Sequence, residues 1–250
     1  MPIASVAEHY ENHLAPVYVW MAGGLEAAIA RGNGEIDALC LTRGQGRTAF
    51  DLGAGFGMHA IPLARHGYSV IAIDSSPTLL AALRKEAQGL PVRAVEGDLL
   101  GFPRHANVPA DLILCMGDTL THLPDRQCVE SLFSDIADSL QEGGQFVTTF
   151  RDYTAGRSED KRFIPVKSDE ARILTCALEY CGDHVTVHDL LHERDGAGWQ
   201  LRVSTYRKLR LAPAWVCSSL HEKGFSVRLE PGPAGMVRII ATRYATGTSS

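Results

Sequence analysis

The chain has 250 residues, of which 45% are hydrophobic and 21% are charged, a composition typical of globular proteins. Its 24 lysine and arginine residues face 29 aspartate and glutamate residues, and the formal net charge is -5 at pH 7. Because a groove for nucleic acid needs a basic footprint, this balance disfavours DNA or RNA as a substrate. No segment reaches the roughly 18 consecutive apolar residues of a membrane-spanning helix, so we expect no membrane partner.

The N-terminal residues MPIASVAEHYENHL lack the basic start and apolar core of a signal peptide, which favours a cytoplasmic protein. The cysteines are scattered without a C-x-x-C pair, and several lie in apolar runs. We interpret them as reduced structural residues and expect no metal site. They are Cys40, Cys115, Cys128, Cys176, Cys181 and Cys217.

Residues 5 to 31 are predicted to be helical, with a break between two helices at Ala15-Pro16. Residues 31 to 47 are glycine-rich at both ends around a short helix and are predicted to form a connector. The large side chains of the helical region either form a packed face or belong to a lid whose tyrosines close over a ligand. They recur near helical spacing at Tyr10, Leu14, Tyr18 and Met21.

Residues 48 to 74 predict one βαβ unit: an apolar strand, a glycine turn, a helix and a second buried strand that ends on Asp74. The turn has the spacing G-x-G-x-G at Gly53, Gly55 and Gly57, where a ligand can approach the backbone without obstruction by side chains. The carboxyl ends of such strands are the expected position of a nucleoside site.

Two acids indicate which nucleoside cofactor suits this turn. A dinucleotide fingerprint reads G-x-G-x-x-G/A, and its last position here would be Met58. Asp51 would repel a pyrophosphate, whereas it suits a cofactor with a cationic amino-acid end. Asp74 suits ribose hydroxyls because a carboxylate can accept from two of them. A purely structural turn is the alternative interpretation.

The next helix is predicted to begin at Ser75-Ser76-Pro77 and to extend to about residue 87, since serine is a favoured N-cap and proline fits the first turn. A third strand follows at residues 92 to 95. Asp98 then lies where an acid can accept from an adenine amino group, with Leu99 against the ring. Asp98 is otherwise a plain turn acid.

Residues 110 to 116 predict a fourth strand that is apolar on both faces, as in the centre of a parallel sheet. It runs into GDTLTHLPD, which places Asp118 and His122 near the ligand-binding ends of the strands. His122 is otherwise a hydrogen-bonding residue of the turn.

An amphipathic helix is predicted from residue 125 to 140 and is expected to end at Gly143-Gly144. A fifth strand is predicted at residues 145 to 150, and residues 151 to 170 are charged and interpreted as a loop. Three strands of an antiparallel insertion follow, at residues 173 to 180, 184 to 193 and 199 to 211.

The third insertion strand has a period of two, which predicts one wet or ligand-facing side. One face carries Trp199, Leu201, Val203, Thr205, Leu209 and Leu211, and the other carries Gln200, Arg202, Ser204, Tyr206, Lys208 and Arg210. A helix at residues 213 to 223 and closing strands at 225 to 229 and 236 to 242 complete the predicted elements.

The glycine turn, with its preceding Asp51, resembles motif I of the class I S-adenosylmethionine-dependent methyltransferases. Three further motifs resemble the glycine N-methyltransferase group of small-molecule methyltransferases, and PVYVWMAGG resembles its lid. The resemblance covers about residues 10 to 210. The three motifs are Gly117-Asp118, His122-Leu123-Pro124-Asp125 and Arg151-Asp152-Tyr153.

The resemblance implies an α/β fold with a Rossmann-like, doubly wound seven-stranded sheet and an antiparallel β insertion after strand five. The insertion would form a roof that excludes water from the site. The expected division is a helical lid and connector at 1–47, a cofactor-binding core at 48–150 and 212–243, the insertion at 151–211, and a tail at 244–250.

The resemblance also implies S-adenosylmethionine as cofactor. The cofactor-binding candidates are Tyr18, Asp51, Gly53, Ala54, Gly55, Gly57, Asp74, Ser75, Asp98, Leu99, Met116, Gly117 and His122. The catalytic candidates are Arg151, Tyr153, Tyr10 and Asp118.

In the family, the arginine that follows strand five holds a substrate carboxylate, which makes Arg151 the candidate. An arginine paired with Asp152 or Glu170 is the alternative. The chain departs from the family in having Asp118 in place of asparagine and Ala28 in place of a lid arginine, and whether Arg31 substitutes for that arginine stays open. Both departures bear on the substrate pocket.

The implied activity is methyl transfer to a nitrogen or oxygen of a small metabolite, and the resemblance leaves open whether that metabolite carries a carboxylate. An amine nucleophile need only be neutral, whereas a hydroxyl would need a base such as Asp118, Asp152 or His122. The alternatives are a methyltransferase acting on a protein or RNA and a non-catalytic S-adenosylmethionine-binding protein. The oligomeric state stays open between monomer and homodimer.

Overall fold

The computed structural model describes residues 3–39, 46–154, 159–196 and 198–245. The expectations for most of the glycine-rich end of the connector, including Cys40, and for nearly all of the C-terminal tail lie outside the described residues. So does Ala197 in the second turn of the insertion.

The central sheet has seven strands. They are β1 (Arg47–Leu52), β2 (Tyr68–Asp74), β3 (Val92–Glu96), β4 (Ala110–Cys115), β5 (Leu140–Phe150), β10 (Phe225–Pro231) and β11 (Val237–Arg243). Their order is β10-β11-β5-β4-β1-β2-β3. Neighbouring strands are parallel throughout the part of the sheet ordered β5-β4-β1-β2-β3. Strand β11 pairs antiparallel with both β5 and β10. The predicted seven-stranded fold is thereby confirmed.

The helices lie on both faces of this sheet or precede it. They are α1 (Val6–His9), α2 (Ala15–Met21), α3 (Leu25–Ala38), α4 (Ala60–Arg65), α5 (Pro77–Glu86), α6 (Arg126–Ser139) and α7 (Pro213–Glu222). A π-helical turn, Tyr10–Leu14, joins α1 to α2, and the 3-10 turns are Leu99–His105, Thr119–His122, Glu159–Arg162 and Pro233–Gly235. Ser76 caps α5 by accepting from the amide of Leu79, as its sequence predicts.

Two buried apolar clusters cover the two faces of the central sheet. Phe50 and Ile113 pack with Phe133 of α6 on one face, and Ala49 and Leu112 pack on the other. β4 is buried on both sides and its sequence is a nearly continuous apolar run, whereas β1, also central, carries the buried acid Asp51. This packing fixes the carboxyl ends of the strands at one edge.

The N-terminal helices differ from the prediction. Pro16 lies in the first turn of α2, where a missing N–H breaks no hydrogen bond within the helix, so the chain stays helical from α1 through α2. The break falls instead at Gly23 and Gly24, whose φ angles are 85° and 96°. The expected connector is also wrong in its first part, since α3 extends to Ala38.

The predicted end of the sixth helix at Gly143-Gly144 is also wrong. Strand β5 begins at Leu140, directly after α6, and the two glycines lie inside the strand. The pairing of β4 with β5 shifts register between Ala110 and Leu112, which gives the extra residues room.

The insertion is a second sheet of four antiparallel strands, in the order β6-β7-β8-β9. They are β6 (Phe163–Ser168), β7 (Arg172–Cys181), β8 (His184–Asp195) and β9 (Gly198–Leu209). The prediction of a loop at residues 151 to 170 is therefore wrong in part. The charged residues before β6 and the proline within it, Pro165, favoured the interpretation as a loop. The strand lies at the edge of the sheet, where proline is tolerated.

The two faces of β9 are buried differently from what alternation alone suggests. Trp199 and Leu201 on its apolar face are 44% and 51% exposed, whereas Tyr206 and Lys208 on its polar face are 3% and 8% exposed. The polar face packs against α1 and the ends of the central strands, so the predicted wet side is buried where it meets the core.

Within the four described ranges, no helix combines the length and apolar character needed to cross a membrane.

Candidate functional site

A cavity of about 840 Å³ lies at the carboxyl ends of the central strands, within the size range of small-molecule pockets. The glycine turn, the end of β2, the 3-10 turn after β3 and the segment after β4 form much of its wall, and the N-terminal helices close one side. The predicted site residues that line it are Tyr10, Tyr18, Gly53, Ala54, Gly55, Asp74, Ser75, Asp98, Leu99, Met116, Gly117 and His122.

The remaining predicted residues do not line the cavity. They are Asp51, Gly57, Asp118, Arg151 and Tyr153. Gly57 has a φ of 96°, and a Cβ there would lie 2.3 Å from the side chain of Leu83. Its glycine is therefore explained by packing of the turn against α5.

Asp74 organises the glycine turn as well as facing the cavity. Its Oδ2 accepts from the amide of Gly55 at 2.7 Å, and its Oδ1 accepts from the amide of Ser76 at 2.8 Å. Burial raises the pKa of Asp74, and these backbone hydrogen bonds oppose that rise. Each oxygen retains a lone pair for a ligand hydroxyl.

Asp51 is a buried acid with an unused acceptor. It is 1% exposed, and its Oδ2 has no hydrogen-bond partner among the described residues. Burial raises the pKa of Asp51 to about 6, against the opposing influence of His59. Since buried polar atoms are normally satisfied, the unpaired carboxylate oxygen next to the glycine turn is an acceptor that a ligand donor could use.

Hydrogen bonds and a ring contact that the sequence did not reveal hold the N-terminal helices at the edge of the cavity. Glu11, in the π-helical turn, accepts from the hydroxyls of Ser76 and Thr78 at the start of α5. Tyr18 lies edge-on to Phe56 of the glycine turn, with ring centroids 5.9 Å apart. Such π-helical turns are frequent at functional sites.

His122 is a neutral imidazole in the cavity wall. Its Nε2 is buried and has no partner within the described ranges. Its ring centroid lies 5.3 Å from that of Tyr10 and 5.9 Å from that of Tyr206. Burial, reinforced by the positive charge of Lys208, lowers the pKa of His122 to about 3. It therefore stays uncharged at neutral pH.

Asp118 joins the ends of β4 and β5 to the insertion. Its φ is 75°, in the left-handed region, and its Oδ1 accepts from the amide of Arg151 at 2.6 Å. Its Oδ2 accepts from Lys208 Nζ at 2.9 Å and from the Tyr153 hydroxyl at 3.1 Å. The sequence placed Lys208 on the face predicted to be wet or ligand-facing and gave it no partner.

The charge of Asp118 is set by this pairing. Burial alone would raise the pKa of Asp118, but the Lys208 ammonium and the hydrogen bonds hold it at about 2. Burial raises the pKa of Tyr153 to about 12. A carboxylate with so low a pKa and both oxygens engaged is a weak base, and Asp152, another candidate base, bonds Thr154 instead.

Arg151 follows β5, but its side chain does not line the cavity and its guanidinium has other partners. Its Nη1 donates to the carbonyl of Ala234 at 2.9 Å, and its Nε lies 3.7 Å from Asp118 Oδ2. These partners replace the Asp152 or Glu170 that the loop sequence suggested.

A buried polar network binds α1 to the insertion sheet. His9 Nε2 lies 3.0 Å from Asp189 Oδ2, and the ring of His9 stacks on Tyr206 with centroids 3.9 Å apart. The Cys176 thiol donates to Asp189 Oδ1 at 2.6 Å. In the described part of the chain, no group of three or more His, Cys, Asp or Glu could hold a metal ion.

Comparisons with known proteins agree with this architecture. Residues 49–144 match the family model of a methyltransferase domain. A glycine/sarcosine N-methyltransferase of Aphanothece halophytica is 24% identical over 183 residues, which are 72% of this chain and 65% of that protein. One of Parasynechococcus marenigrum is 25% identical over 128 residues, which are 50% of this chain and 45% of that protein. The matched region is thus less than two thirds of either relative.

A solved structure extends the likeness beyond the matched domain. The CcbJ methyltransferase from Streptomyces caelestis superposes with a TM-score of 0.75 at 20% identity, covering 94% of this chain and 98% of that one. At this identity the likeness shows a shared fold, which includes the insertion as well as the central sheet.

Proposed function

We propose that this chain, whose residues 49–144 match the model of a methyltransferase domain, transfers a methyl group from S-adenosylmethionine to a nitrogen or oxygen of a small molecule. One observation carries the proposal. The glycine turn and Asp74 line the same cavity, and the buried Asp51 next to the turn has a carboxylate oxygen without a described partner. The N-methyltransferase relatives favour a nitrogen as the acceptor atom.

The residues present fit the cofactor. Asp74 would accept from the ribose hydroxyls, and Asp98 would accept from the adenine amino group with Leu99 against the ring. Asp51, with its unpaired oxygen, would meet the positive charge of the amino-acid end. Tyr18 would cover the bound molecule from the N-terminal side. When bound, S-adenosylmethionine supplies a methyl group already activated by the sulfonium.

The contribution of the chain is then mainly to hold the acceptor in line. Placing a nucleophile at roughly 3–3.5 Å in the correct direction can supply about 7–11 kcal/mol of the barrier. Tyr10 and neutral His122 line the cavity and can orient an amine without charging it. Because Asp118 is a weak base here, the electrostatics favour a neutral amine over a hydroxyl as nucleophile.

Binding of S-adenosylmethionine at pH 6 is expected to release protons from Asp51. The pKa of Asp51 is about 6 in the free protein, so the acid is about half protonated at that pH, and a cationic ligand beside it lowers the pKa. Calorimetry at pH 6 in buffers of different ionisation enthalpy measures this release. Asp51→Asn should abolish it, and equal binding enthalpy in all buffers would contradict the assignment of Asp51.

The insertion, residues 151–211, is proposed to roof the acceptor end of the cavity. It contributes His184 and Arg207 to the cavity wall. For Arg151 to hold an acceptor carboxylate, as family resemblance suggests, it would have to exchange its contacts with Ala234 and Asp118. Tyr153 would then meet the acceptor only through that rearrangement, since its hydroxyl bonds Asp118.

The experiment that tests the function is a screen of pooled small amines, alcohols and amino acids, scored by release of S-adenosylhomocysteine. Turnover with a small molecule supports the proposal. Turnover confined to a protein or RNA would favour the macromolecular alternative, and tight cofactor binding without any turnover would favour a non-catalytic binding protein. A cytoplasmic location and a monomeric or homodimeric state stay predictions.

A further inference from the structure

We propose that Arg207, at the mouth of the cavity, binds an oxyanion of the acceptor, either a carboxylate or a phosphate, and so selects which acceptors enter. The inference rests on the proposed function, since it concerns the acceptor end of the same cavity. It assigns the anion contact to β9 of the insertion rather than to the end of β5.

The two cationic side chains beside Asp118 do not line the cavity and already have partners. Lys208 donates to Asp118 at 2.9 Å, and the tyrosine rings of residues 153 and 206 lie 5.9 Å and 5.7 Å from its ammonium. Arg151 donates to Ala234 and lies 3.7 Å from Asp118. An anion placed there would have to compete with a buried carboxylate, which like-charge repulsion disfavours.

Arg207 is placed differently. Among the described residues it is the one lysine or arginine that lines the cavity. Its side chain is exposed, and no described residue forms a hydrogen bond or ion pair with its guanidinium. A free, planar guanidinium with five donors matches the geometry of a carboxylate or a phosphate.

The surroundings of Arg207 suggest the shape of the acceptor. Leu123, Pro124 and residues 3–7 line the cavity near the insertion together with His184. Inward, the wall carries the rings of Tyr10 and His122. We therefore expect an elongated acceptor with an apolar body, a nucleophile at the inner end and an anionic group at the mouth.

The test measures binding rather than turnover. Wild-type protein saturated with S-adenosylhomocysteine is titrated by calorimetry with 4-phenylbutyrate, 4-phenylbutyl phosphate and the neutral 4-phenylbutyramide. At least one anionic probe should bind about tenfold more tightly than the amide, because it gains a charge-assisted hydrogen bond. The two anions distinguish a carboxylate acceptor from a phosphate acceptor.

Matched variants locate the anion contact. Arg207→Gln should bring the ratio of anion to amide affinity close to one, whereas Arg151→Gln should keep it near the wild-type value. An unchanged affinity for S-adenosylhomocysteine in both variants shows that they are folded. The inference would be overturned if the preference for anion over amide persisted in Arg207→Gln or disappeared in Arg151→Gln. It would also be overturned if the wild-type protein preferred neither anion to the amide. Failure of S-adenosylhomocysteine itself to bind would instead contradict the proposed function.

Discussion

Lys208→Met is expected to lower the free energy of unfolding at pH 7 by about 3–5 kcal/mol, because it leaves the carboxylate of Asp118 buried without its counter-charge. Lys208 is 8% exposed and Asp118 is 5% exposed, so water cannot easily replace the lost contact. Urea denaturation measures the change. Lys85→Met, at an exposed position of α5, is the matched control and should shift the free energy by less than about 0.5 kcal/mol.

The double variant Asp118→Asn, Lys208→Met should recover most of that loss, since it removes both charges. The asparagine side chain keeps the shape of the aspartate and can still accept a hydrogen bond from the backbone amide of Arg151. A loss below about 1 kcal/mol in Lys208→Met, or a double variant no more stable than the single one, would show that the pair does not hold the insertion on the core.

The same pair makes stability depend on acid pH. The folded pKa of Asp118, about 2, lies below its usual value of 3.8, so the unfolded chain binds the proton more readily. The resulting stabilisation, roughly 2 kcal/mol, is present above pH 4 and is lost as the pH falls from about 4 to 2. Asp118→Asn should lack this part of the pH dependence.

Asp74→Asn is expected to weaken binding of S-adenosylmethionine tenfold or more. The carboxylate is the acid at the end of β2 that lines the cavity, and a charge-assisted hydrogen bond contributes about 1.5–3 kcal/mol. The substitution also weakens the bonds to the amides of Gly55 and Ser76, which hold the glycine turn. Both effects act in the same direction on cofactor binding.

Calorimetry with Asp138→Asn as control separates this effect from a general loss of charge, because Asp138 is exposed on α6 away from the cavity. Thermal unfolding of the two variants shows how much of the loss comes from a destabilised turn. Unchanged affinity in Asp74→Asn would remove Asp74 from the cofactor site.

Local sequence signals predicted the parts of the fold that depend on neighbouring residues. The serine before Pro77 caps α5, and the apolar run at 110 to 116 forms a strand buried on both faces. The G-x-G-x-G turn and Asp74 meet at the cavity because both follow directly from one βαβ unit. In each case the signal lies in the residues of the element itself.

Two contacts that the sequence did not reveal join residues far apart in the chain. Asp118 and Lys208 are 90 residues apart, so neither pattern alone reveals the ion pair that buries the polar face of β9. Glu11 accepts a hydrogen bond from Ser76, which is 65 residues away in the chain. Nothing near Glu11 in the sequence indicates this contact. Strand β6 was missed because its residues carry little alternation and it is formed by pairing with β7.

Calorimetric titration of the wild-type protein tests the central claim most directly, because the geometry argues for a nucleoside cofactor with a cationic amino-acid end rather than for a dinucleotide. The proposed site predicts saturable, one-site binding of S-adenosylmethionine at pH 7 and no detectable binding of NAD under the same conditions. Binding of NAD, or no binding of S-adenosylmethionine, would contradict the assignment of the glycine turn, Asp51 and Asp74 to this cofactor.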